Sequence, residues 1–292
     1  MLRKFAYACC ALATTWLFPA ASNASPITLD FGVYQSDKAT VMFRKFRPVL
    51  DTLSASLTKT LGEAVEINLK IHKTYTAGQD SLVAGEVDFA RFGPASYALA
   101  KERNDGLRLI AMENRKGSKH FKGAIIVRKE SPYRSVSDLR GARFAFGNER
   151  STIGRYLAQA ALVEAGLHAT DLDMHSYLDR HDRVLISVLL GDFDAGALKA
   201  NTFERYKHRN DLRVLKEFDV VTKPWVARAN LDDRLYGAIR AALLNLTDPA
   251  ALKELKVKGF FPASDEDYKD IRAAMIRTAE FDDRAPESIA RH

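Results

Sequence analysis

Hydrophobic residues along this chain switch repeatedly between a spacing of two, which is typical of β-strands, and the spacing of amphipathic helices. Residues 27–31 and 65–71 alternate in the first way, while residues 46–61 between them have helical spacing. A parallel pair of strands needs a long crossover connection, which is usually a helix. Strands that alternate with helices therefore predict an α/β fold with largely parallel sheets.

The alternation continues along the rest of the chain. A helix pattern at residues 81–85 leads into an apolar run at 87–92. Gly93 and Pro94 then predict the end of a strand and the start of a helix over 95–101, because proline is favoured in the first turn of a helix. Further short apolar runs predict strands at residues 107–112, 123–128 and 143–147.

Length and composition fit a folded chain of about two domains. At roughly 150 residues a domain, the 292 residues exceed one ordinary domain. Hydrophobic residues make up 47% and charged residues 28%, which are ordinary globular values and exclude wholesale disorder. The net charge of +7 comes from basic residues dispersed among acids, so we expect no nucleic-acid partner. This charge is better suited to attracting an anionic ligand.

Residues 1–24 have the composition of a secretory signal peptide. Arg3 and Lys4 precede an apolar run over residues 5–18, and small residues follow at 20–24. The run of about 14 residues is shorter than the roughly 20 that cross a bilayer as a helix. We therefore expect cleavage at the end of this segment and export to the periplasm.

Both cysteines, Cys9 and Cys10, lie within this segment. The exported chain would then have no disulfide, no thiolate metal ligand and no cysteine nucleophile. The alternative is that Cys9 becomes a lipidated N-terminus after residues 6–8, although few apolar residues precede it and Tyr7 is bulky.

Residues 147–154 have a stronger claim to chemistry than most of the chain. They follow the predicted strand at 143–146 and precede a helix predicted over 155–165. Ser151 and Thr152 would thus lie at a helix N-terminus, where unpaired backbone N–H groups and the helix dipole favour an anion. The alternative is that either hydroxyl serves only as an N-cap.

A second predicted strand leads into a helix start at residues 92–97. Gly93 and Pro94 would begin this helix, with Ser96 and Tyr97 in its first turn. Plain packing with a cap is the alternative here as well. Two such helix starts facing each other would clamp an anion between them.

In this order and spacing, the motifs resemble the phosphate, phosphite and phosphonate substrate-binding proteins of ABC transporters. That family has the periplasmic-binding-protein type 2 fold, and the resemblance covers nearly the whole chain after the signal segment. The matching segments are residues 84–90, 92–94, 137–141, 144–147, 151–154, 181–182 and 191–197.

The resemblance implies two lobes, each a mostly parallel sheet flanked by helices, with the ligand in the cleft between them. Lobe one would comprise residues 26–121 and 224–292, and lobe two residues 122–223. The tail would add to lobe one an amphipathic helix that has Asn230 as its cap. Its apolar face would consist of Leu235, Ile239, Leu243 and Leu246.

The resemblance also implies that a Ser-Thr-x-Gly helix start and a histidine 30 residues later bind the oxyanion, here Ser151, Thr152 and His181. A third hydroxyl that is usual in that loop is replaced by Ile153, so one anion donor is lost or is replaced by the Ile153 backbone N–H. An aromatic hydroxyl that usually precedes the glycine of the other helix start is replaced by Phe92. The hydroxyls able to compensate are those of Tyr34, Tyr75 and Tyr97. The expected ligand-binding set is completed by Gly93, Ser96 and Asn201.

Two positions bear on the choice of ligand. Relatives that take aminoalkyl phosphonates have acids to hold the ammonium in the regions where this chain has Asn201 and Lys223. A lysine would repel that ammonium, so we expect aminoalkyl phosphonates to bind poorly.

Other charged residues have expected roles near the site. His181, as an imidazolium, would donate a hydrogen bond to the oxyanion and add positive charge. Asp194 is expected to be structural, because aspartate caps turns well at strand ends. Candidate bidentate donors are Arg91, Arg155 and Arg183.

We therefore expect a monomeric periplasmic receptor that binds a small phosphorus oxyanion, of the phosphonate, phosphite or phosphate type, and delivers it to an ABC-transporter permease. A ligand-binding module of a sensory system would use the same cleft. A phosphate-ester hydrolase using Ser151 and His181 is a weaker alternative, because the sequence lacks a nucleophile elbow, a zinc-protease motif and a phosphate-binding loop. No metal or organic cofactor is implied.

Overall fold

The structure, a computed structural model, describes residues 25–36, 39–206 and 210–282. The expected signal segment at residues 1–24, which contains both cysteines, lies outside the described residues. Within the described ranges, no helix is long and apolar enough to cross a membrane.

The described chain forms two sheets. In chain order their strands are β1 (Ile27–Tyr34), β2 (Val65–His72), β3 (Phe89–Arg91), β4 (Arg108–Glu113), β5 (His120–Arg128), β6 (Arg143–Phe146), β7 (Met174–Tyr177), β8 (Ala195–Lys199), β9 (Leu212–Val221), β10 (Pro224–Ala227) and β11 (Phe260–Phe261). The first sheet has the order β11-β4-β10-β3-β1-β2, and the second has the order β7-β6-β8-β5-β9.

Each sheet has a parallel part and an antiparallel part. In the first, β1 pairs in parallel with β2 and β3, while β10 is antiparallel to β3 and β4. In the second, β6 pairs in parallel with β7 and β8, while β5 is antiparallel to β8 and β9. Two of the parallel pairs, β1 with β2 and β6 with β7, are joined through a helix as predicted, while the antiparallel pairs mean that neither sheet is parallel throughout. The antiparallel strands β5, β9 and β10 adjoin the two places where the chain changes sheet.

Helices flank both sheets. In chain order they are α1 (Ala39–Leu61), α2 (Tyr75–Val83), α3 (Pro94–Arg103), α4 (Ala158–Glu164), α5 (His181–Leu190), α6 (Ala200–Tyr206), α7 (Asp233–Leu244), α8 (Pro249–Leu255) and α9 (Lys269–Asp282). The helix expected at 81–85 starts earlier, because Thr74 caps α2 by accepting a hydrogen bond from Ala77 N at 3.1 Å. A wide turn of π type over Thr152–Leu157 precedes α4.

The predicted cap of the amphipathic tail helix is wrong. Asp232 caps α7, since its carboxylate accepts a hydrogen bond from Leu235 N at 3.0 Å. Asn230 instead accepts a hydrogen bond from Arg228 at 2.6 Å, three residues before the helix begins. Either residue type caps helices well, so composition alone did not distinguish them.

The chain passes between the sheets twice. The first passage lies between β4 and β5, and the second lies at residues 222–223, between β9 and β10. Hydrophobic clusters form a core beside each sheet. In the first, Phe31 stacks on Trp225 and packs against the tilted ring of Phe89. The exact lobe boundaries, residues 26–121 with 224–292 and residues 122–223, stay a prediction.

The last described helix, α9, contacts both halves of the molecule. Ile271 belongs to a core cluster of the first sheet, whereas Phe281 lies in the core of the second, with its ring 5.6 Å from that of Phe146. Arg277 of α9 also forms an ion pair with Glu164 of α4. The expected assignment of residues 224–292 to lobe one alone omits this second contact, which joins the halves at one side of the cleft.

Candidate functional site

The start of α3 is the first half of the candidate site. Gly93 precedes the helix with extended backbone, and Pro94 takes the first helical position as predicted. The backbone N–H of Gly93 donates to the Tyr34 hydroxyl at 2.7 Å, and that hydroxyl lies 3.0 Å from Ser96 Oγ. A Cβ at Gly93 would lie 2.9 Å from the Tyr34 oxygen, so only glycine lets this hydroxyl approach the helix start. Polar groups thus converge where the helix dipole is positive.

The loop from Gly147 to Gly154 is the second half. Ser151 Oγ accepts a hydrogen bond from Gly154 N at 3.0 Å, so Ser151 is the N-cap that the simpler alternative foresaw. Thr152 has a different role, because its Oγ1 accepts a hydrogen bond from Ala95 N at 3.0 Å. That bond joins the two helix starts, one following a strand of each sheet. The structure therefore brings the two predicted halves of the clamp face to face.

Gly147 and Gly154 fix the shape of this loop. A Cβ on Gly154 would lie 2.7 Å from Gly147 Cα, so the two backbones touch with no room for a side chain. Gly147 N also donates to Gly154 O at 2.8 Å. This close approach fixes the positions of Ser151 and Thr152 after the end of β6, where the π-type turn begins.

Three aromatic rings form one wall beside the helix starts. The Tyr34 and Tyr75 rings stack with their centroids 3.9 Å apart, and Phe92 stacks on the Tyr34 ring at 6.0 Å. Burial raises the pKa of both tyrosines above their ordinary value, so both hydroxyls stay protonated. A hydrogen bond with the Ser151 side chain lowers the pKa of Tyr75 by less than burial raises it. Tyr34 and Tyr75 are therefore placed to compensate for the apolar Phe92, which is fully buried.

Tyr97 is not brought into this set. Its hydroxyl donates to Asp265 at 2.8 Å, and its ring lies edge-on to Tyr268 at 5.0 Å. Because successive helical residues are rotated by about 100°, Ser96 faces the site while Tyr97 faces the packing of the tail. The compensating role expected of Tyr97 is therefore wrong.

His181 begins α5, close to the glycine loop. A Cβ at Gly147 would lie 3.8 Å from His181 Nδ1, and that nitrogen is buried with no hydrogen-bond partner among the described residues. Burial, reinforced by Lys199 and Lys223, lowers the pKa of His181 to about 3. The structure therefore favours a neutral His181 ring over the expected imidazolium, and a neutral ring still has one N–H to donate.

Arg91 is held behind the tyrosines by a buried acid. Its Nε donates to Glu113 Oε1 at 2.7 Å, and its Nη2 lies 2.7 Å from the same oxygen as an ion pair. Arg115 reaches the other carboxylate oxygen at 3.1 Å. The side chains of Arg91 and Glu113 are only 4% and 0% exposed. Burial alone would raise the pKa of Glu113, but Arg91 and Arg115 lower it to about 2. The positive charge of Arg91 also lowers the pKa of the Tyr34 and Tyr75 hydroxyls, against the larger effect of burial.

Sequence reasoning missed Glu113, Arg115 and Lys199. Glu113 directly follows the predicted strand at 107–112, where an acid after an apolar run is unremarkable. Its importance comes from long-range pairing, since 22 residues separate it from Arg91. No local pattern signals such a pair.

Several expected residues lie elsewhere. Asn201 is exposed on α6, where Thr202 is the buried neighbour, and Arg183 is exposed on α5. Arg155 donates to Gln159 and to the Glu149 carbonyl rather than toward Thr152. Among the residues described, no cluster of three or more His, Cys, Asp or Glu is placed to hold a metal ion.

Asp194 and Ile153 occupy the positions that sequence reasoning expected. Asp194 accepts hydrogen bonds from Arg143 at 3.0 Å and from Arg128 at 3.1 Å, which is the structural role expected of it. These arginines lower the pKa of Asp194 to about 2. Ile153 is the second residue of its helical turn, with its side chain 4% exposed. Its N–H therefore belongs to the helix start, where backbone donors lack intrahelical partners.

Comparison with known proteins identifies the class of this cleft. Residues 31–268 match the family model described as ABC transporter, phosphonate, periplasmic substrate-binding protein. That match covers well over half of the chain. The chain belongs to this family. Phosphonate-type substrate-binding proteins are transport receptors, so the expected receptor class is confirmed.

Individual relatives agree with the family assignment. The probable ABC transporter phosphite binding protein PhnD1 of Prochlorococcus marinus (strain MIT 9301) is 27% identical over 293 residues, covering 92% of this chain and 95% of PhnD1. The solved structure of PhnD1 in complex with methylphosphonate has a TM-score of 0.75 at 24% identity, covering 87% of this chain and 99% of that one. XAC2383 from Xanthomonas citri, bound to chloride ion, has a TM-score of 0.74 at 22% identity, covering 86% and 97%. The predicted two-lobed type 2 fold is confirmed.

Proposed function

We propose that this protein binds a small phosphorus oxyanion between the start of α3 and the Ser151-Thr152 loop, and delivers it to the permease of an ABC transporter. The observation that carries the proposal is the hydrogen bond from Ala95 N to Thr152 Oγ1. It brings two helix N-termini from different sheets within 3.0 Å of each other. Each is a site where backbone N–H groups and the helix dipole favour an anion.

The donors at this junction suit a tetrahedral oxyanion. The hydroxyls of Tyr34 and Ser96 and the backbone N–H of Gly93 form one set of linked hydrogen bonds. The bond from Ala95 N to the Thr152 hydroxyl lies beside that set. In the structure these groups satisfy one another. An oxyanion entering between them would accept from several donors at once, and each bond to a charged group contributes about 1.5–3 kcal/mol.

Neighbouring groups favour a negative charge and a small apolar substituent. Arg91 supplies fixed positive charge behind Tyr34 and Tyr75, and the neutral His181 ring supplies one further donor. The Phe92 ring offers apolar contact where relatives have a hydroxyl. Methylphosphonate, which is bound in the PhnD1 structure, and phosphite, which names PhnD1, are therefore the first ligands to test.

Binding would work by closing the cleft. The two helix starts belong to halves of the molecule that the chain joins at only two passages and at α9. A ligand that contacts both helix starts stabilises the closed state, because it binds that state more tightly than the open one. The permease would recognise the closed receptor, which we expect to act as a periplasmic monomer.

The test is isothermal titration calorimetry on residues 25–292 with phosphate, phosphite, methylphosphonate and sulfate. The proposal expects saturable binding of at least one phosphorus oxyanion at one site per chain. Turnover of a chromogenic phosphate ester would contradict the proposal. So would the absence of binding by every oxyanion while a ligand of another class binds. Uptake of the bound anion by vesicles containing the cognate permease tests the delivery step.

A further inference from the structure

Positive side chains gather where the chain passes between the sheets. Lys223 lies in the second passage, and its carbonyl accepts a hydrogen bond from Glu113 N at 3.1 Å. Lys199 ends β8, and its Nζ lies 5.6 Å from the centre of the Phe121 ring. The guanidinium of Arg115 lies 5.9 Å from the centre of the same ring. Strand ends of both sheets thus place cations together at the base of the cleft.

This cluster has more positive charge than its acid neutralises. Glu113 is already engaged by Arg91 and Arg115, at 2.7 and 3.1 Å. Among the described residues, neither Lys199 nor Lys223 forms an ion pair. Both are half-buried, in a region where an unpaired charge is costly.

The lysines oppose one another. Burial lowers the pKa of Lys199 and of Lys223 well below its usual range. The nearby charge of Arg115 lowers the pKa of Lys199 further, and the charges of Arg91 and Lys199 do the same to Lys223. The negative charge of Glu113 raises the pKa of both lysines, but by less than burial and the neighbouring cations lower it. An anion placed between the lysines would relieve this repulsion.

The cluster adjoins the proposed oxyanion site. β6 and β8 pair in parallel, with Ala145 opposite Gly196, so both strands end at the same edge of the sheet, where β6 leads into the glycine loop and β8 ends in Lys199. The charges of Lys199 and Lys223 also lower the pKa of His181, whose ring lies beside that loop. The positive charge of Arg91 lowers the pKa of Tyr34 and of Tyr75, so Arg91 lies near both hydroxyls. A phosphorus headgroup between the helix starts would therefore direct a short substituent toward the lysines.

We propose that the physiological ligand is a phosphorus oxyanion whose short substituent ends in a second anionic group, which Lys199 and Lys223 hold. This inference rests on the proposed function and specifies its substrate class. The shared chemistry is a dianionic molecule with two separate charged ends. A carboxylate and a second phosphonate are the two forms of that end group.

The decisive comparison uses ligands of matched length. Calorimetric titrations of residues 25–292 compare 3-phosphonopropionate and methylenediphosphonate with propylphosphonate and methylphosphonate, which lack the second charge. We expect 3-phosphonopropionate or methylenediphosphonate, which have two anionic ends, to bind about tenfold or more tightly than propylphosphonate and methylphosphonate, which have one. The preferred form identifies the end group as carboxylate or phosphonate.

Variants then assign the preference to the lysines. Lys199→Met and Lys223→Met remove the charge at similar length, and each should lower the affinity for the ligand with two anionic ends about tenfold more than the affinity for methylphosphonate. Lys223→Arg restores charge and should restore the preference. Lys59→Met, at an exposed position in the last turn of α1, is the matched control and should keep the preference.

The outcomes separate the two proposals. If methylphosphonate binds but the second charge brings no gain in affinity, this inference is overturned and the proposed function stands. If no phosphorus oxyanion binds, the proposed function fails and the inference fails with it. If the preference is found but survives both lysine variants in folded protein, the assignment to Lys199 and Lys223 is wrong.

Discussion

Thr152 is the residue whose removal tests the proposed site most sharply. Its Oγ1 accepts a hydrogen bond from Ala95 N at 3.0 Å, and the residue is only 7% exposed. In the ligand-bound receptor the same hydroxyl would donate to the anion. Thr152→Ala removes that charge-assisted bond, which contributes about 1.5–3 kcal/mol. At about 1.4 kcal/mol per tenfold change, the Kd for the best oxyanion should rise by roughly 10- to 100-fold.

The measurement is a calorimetric titration of wild type and variant with the same oxyanion. Thr152→Ser keeps the hydroxyl and should bind within about threefold of wild type. Thr278→Ala is the matched control, because Thr278 is a similarly buried threonine on α9 whose hydroxyl donates to Met275 O of its own helix and not to a group of the site. That control should lose some stability and no affinity.

The reasoning would be refuted by a folded Thr152→Ala protein with an unchanged Kd. Equal losses in Thr152→Ala and Thr278→Ala would also refute it, because a general loss of stability would then explain both. A melting curve of each variant establishes that the protein compared is folded.

Three further predictions concern stability and shape. The folded His181 ring has a pKa of about 3, whereas the ring in the unfolded chain binds a proton near pH 6.5. The free energy of unfolding should therefore fall as the pH falls from 6.5 toward 3, by up to about 1.4 kcal/mol per pH unit from this group. Urea titrations at several pH values measure this change. Glu113→Gln leaves Arg91 buried without its counter-charge and should cost about 3–5 kcal/mol of stability, measured by urea unfolding. Gly154→Ala forces a Cβ against Gly147 and should cost about 1–3 kcal/mol while weakening oxyanion binding, measured by unfolding and calorimetry.

Matched variants control these predictions. His181→Asn removes the titrating ring and should flatten the pH dependence between 3 and 6.5. Glu63→Gln breaks an exposed pair with Arg234 and should change stability by less than about 1 kcal/mol. Gly237→Ala adds a methyl group within α7, where nothing lies within 4 Å of the new Cβ, and should be neutral or stabilising. A control that behaves like its test variant would contradict the corresponding prediction.

Much of the fold was predictable because its signals are local. Alternating and helical hydrophobic spacing places β1, α1 and β2, and Gly93-Pro94 identifies the start of α3. Capping residues in the glycine loop identify the second helix start for the same reason. The family resemblance added what local patterns cannot supply, namely that these two helix starts belong to facing lobes.

The remaining features depend on contacts between residues distant in the chain. The Arg91–Glu113 pair joins the ends of two strands of the first sheet, and the cation cluster arises where strand ends of both sheets meet. Hydrophobic spacing encodes neither. Tyr97 and Asn201 are misplaced for another reason, because a single residue step along a helix decides which way a side chain faces. The charge state of His181 followed from burial and from two lysines that the sequence analysis did not place beside it.

The central claim is that a phosphorus oxyanion binds between the two helix starts. Its most direct test is a thermal-shift measurement on residues 25–292 with and without methylphosphonate, phosphite and phosphate, repeated with Thr152→Ala. A ligand that binds only the folded state must raise Tm. The account predicts a concentration-dependent rise with at least one of these anions, and a strongly reduced rise in the variant. No rise with any of them, or an equal rise in the variant, would contradict it.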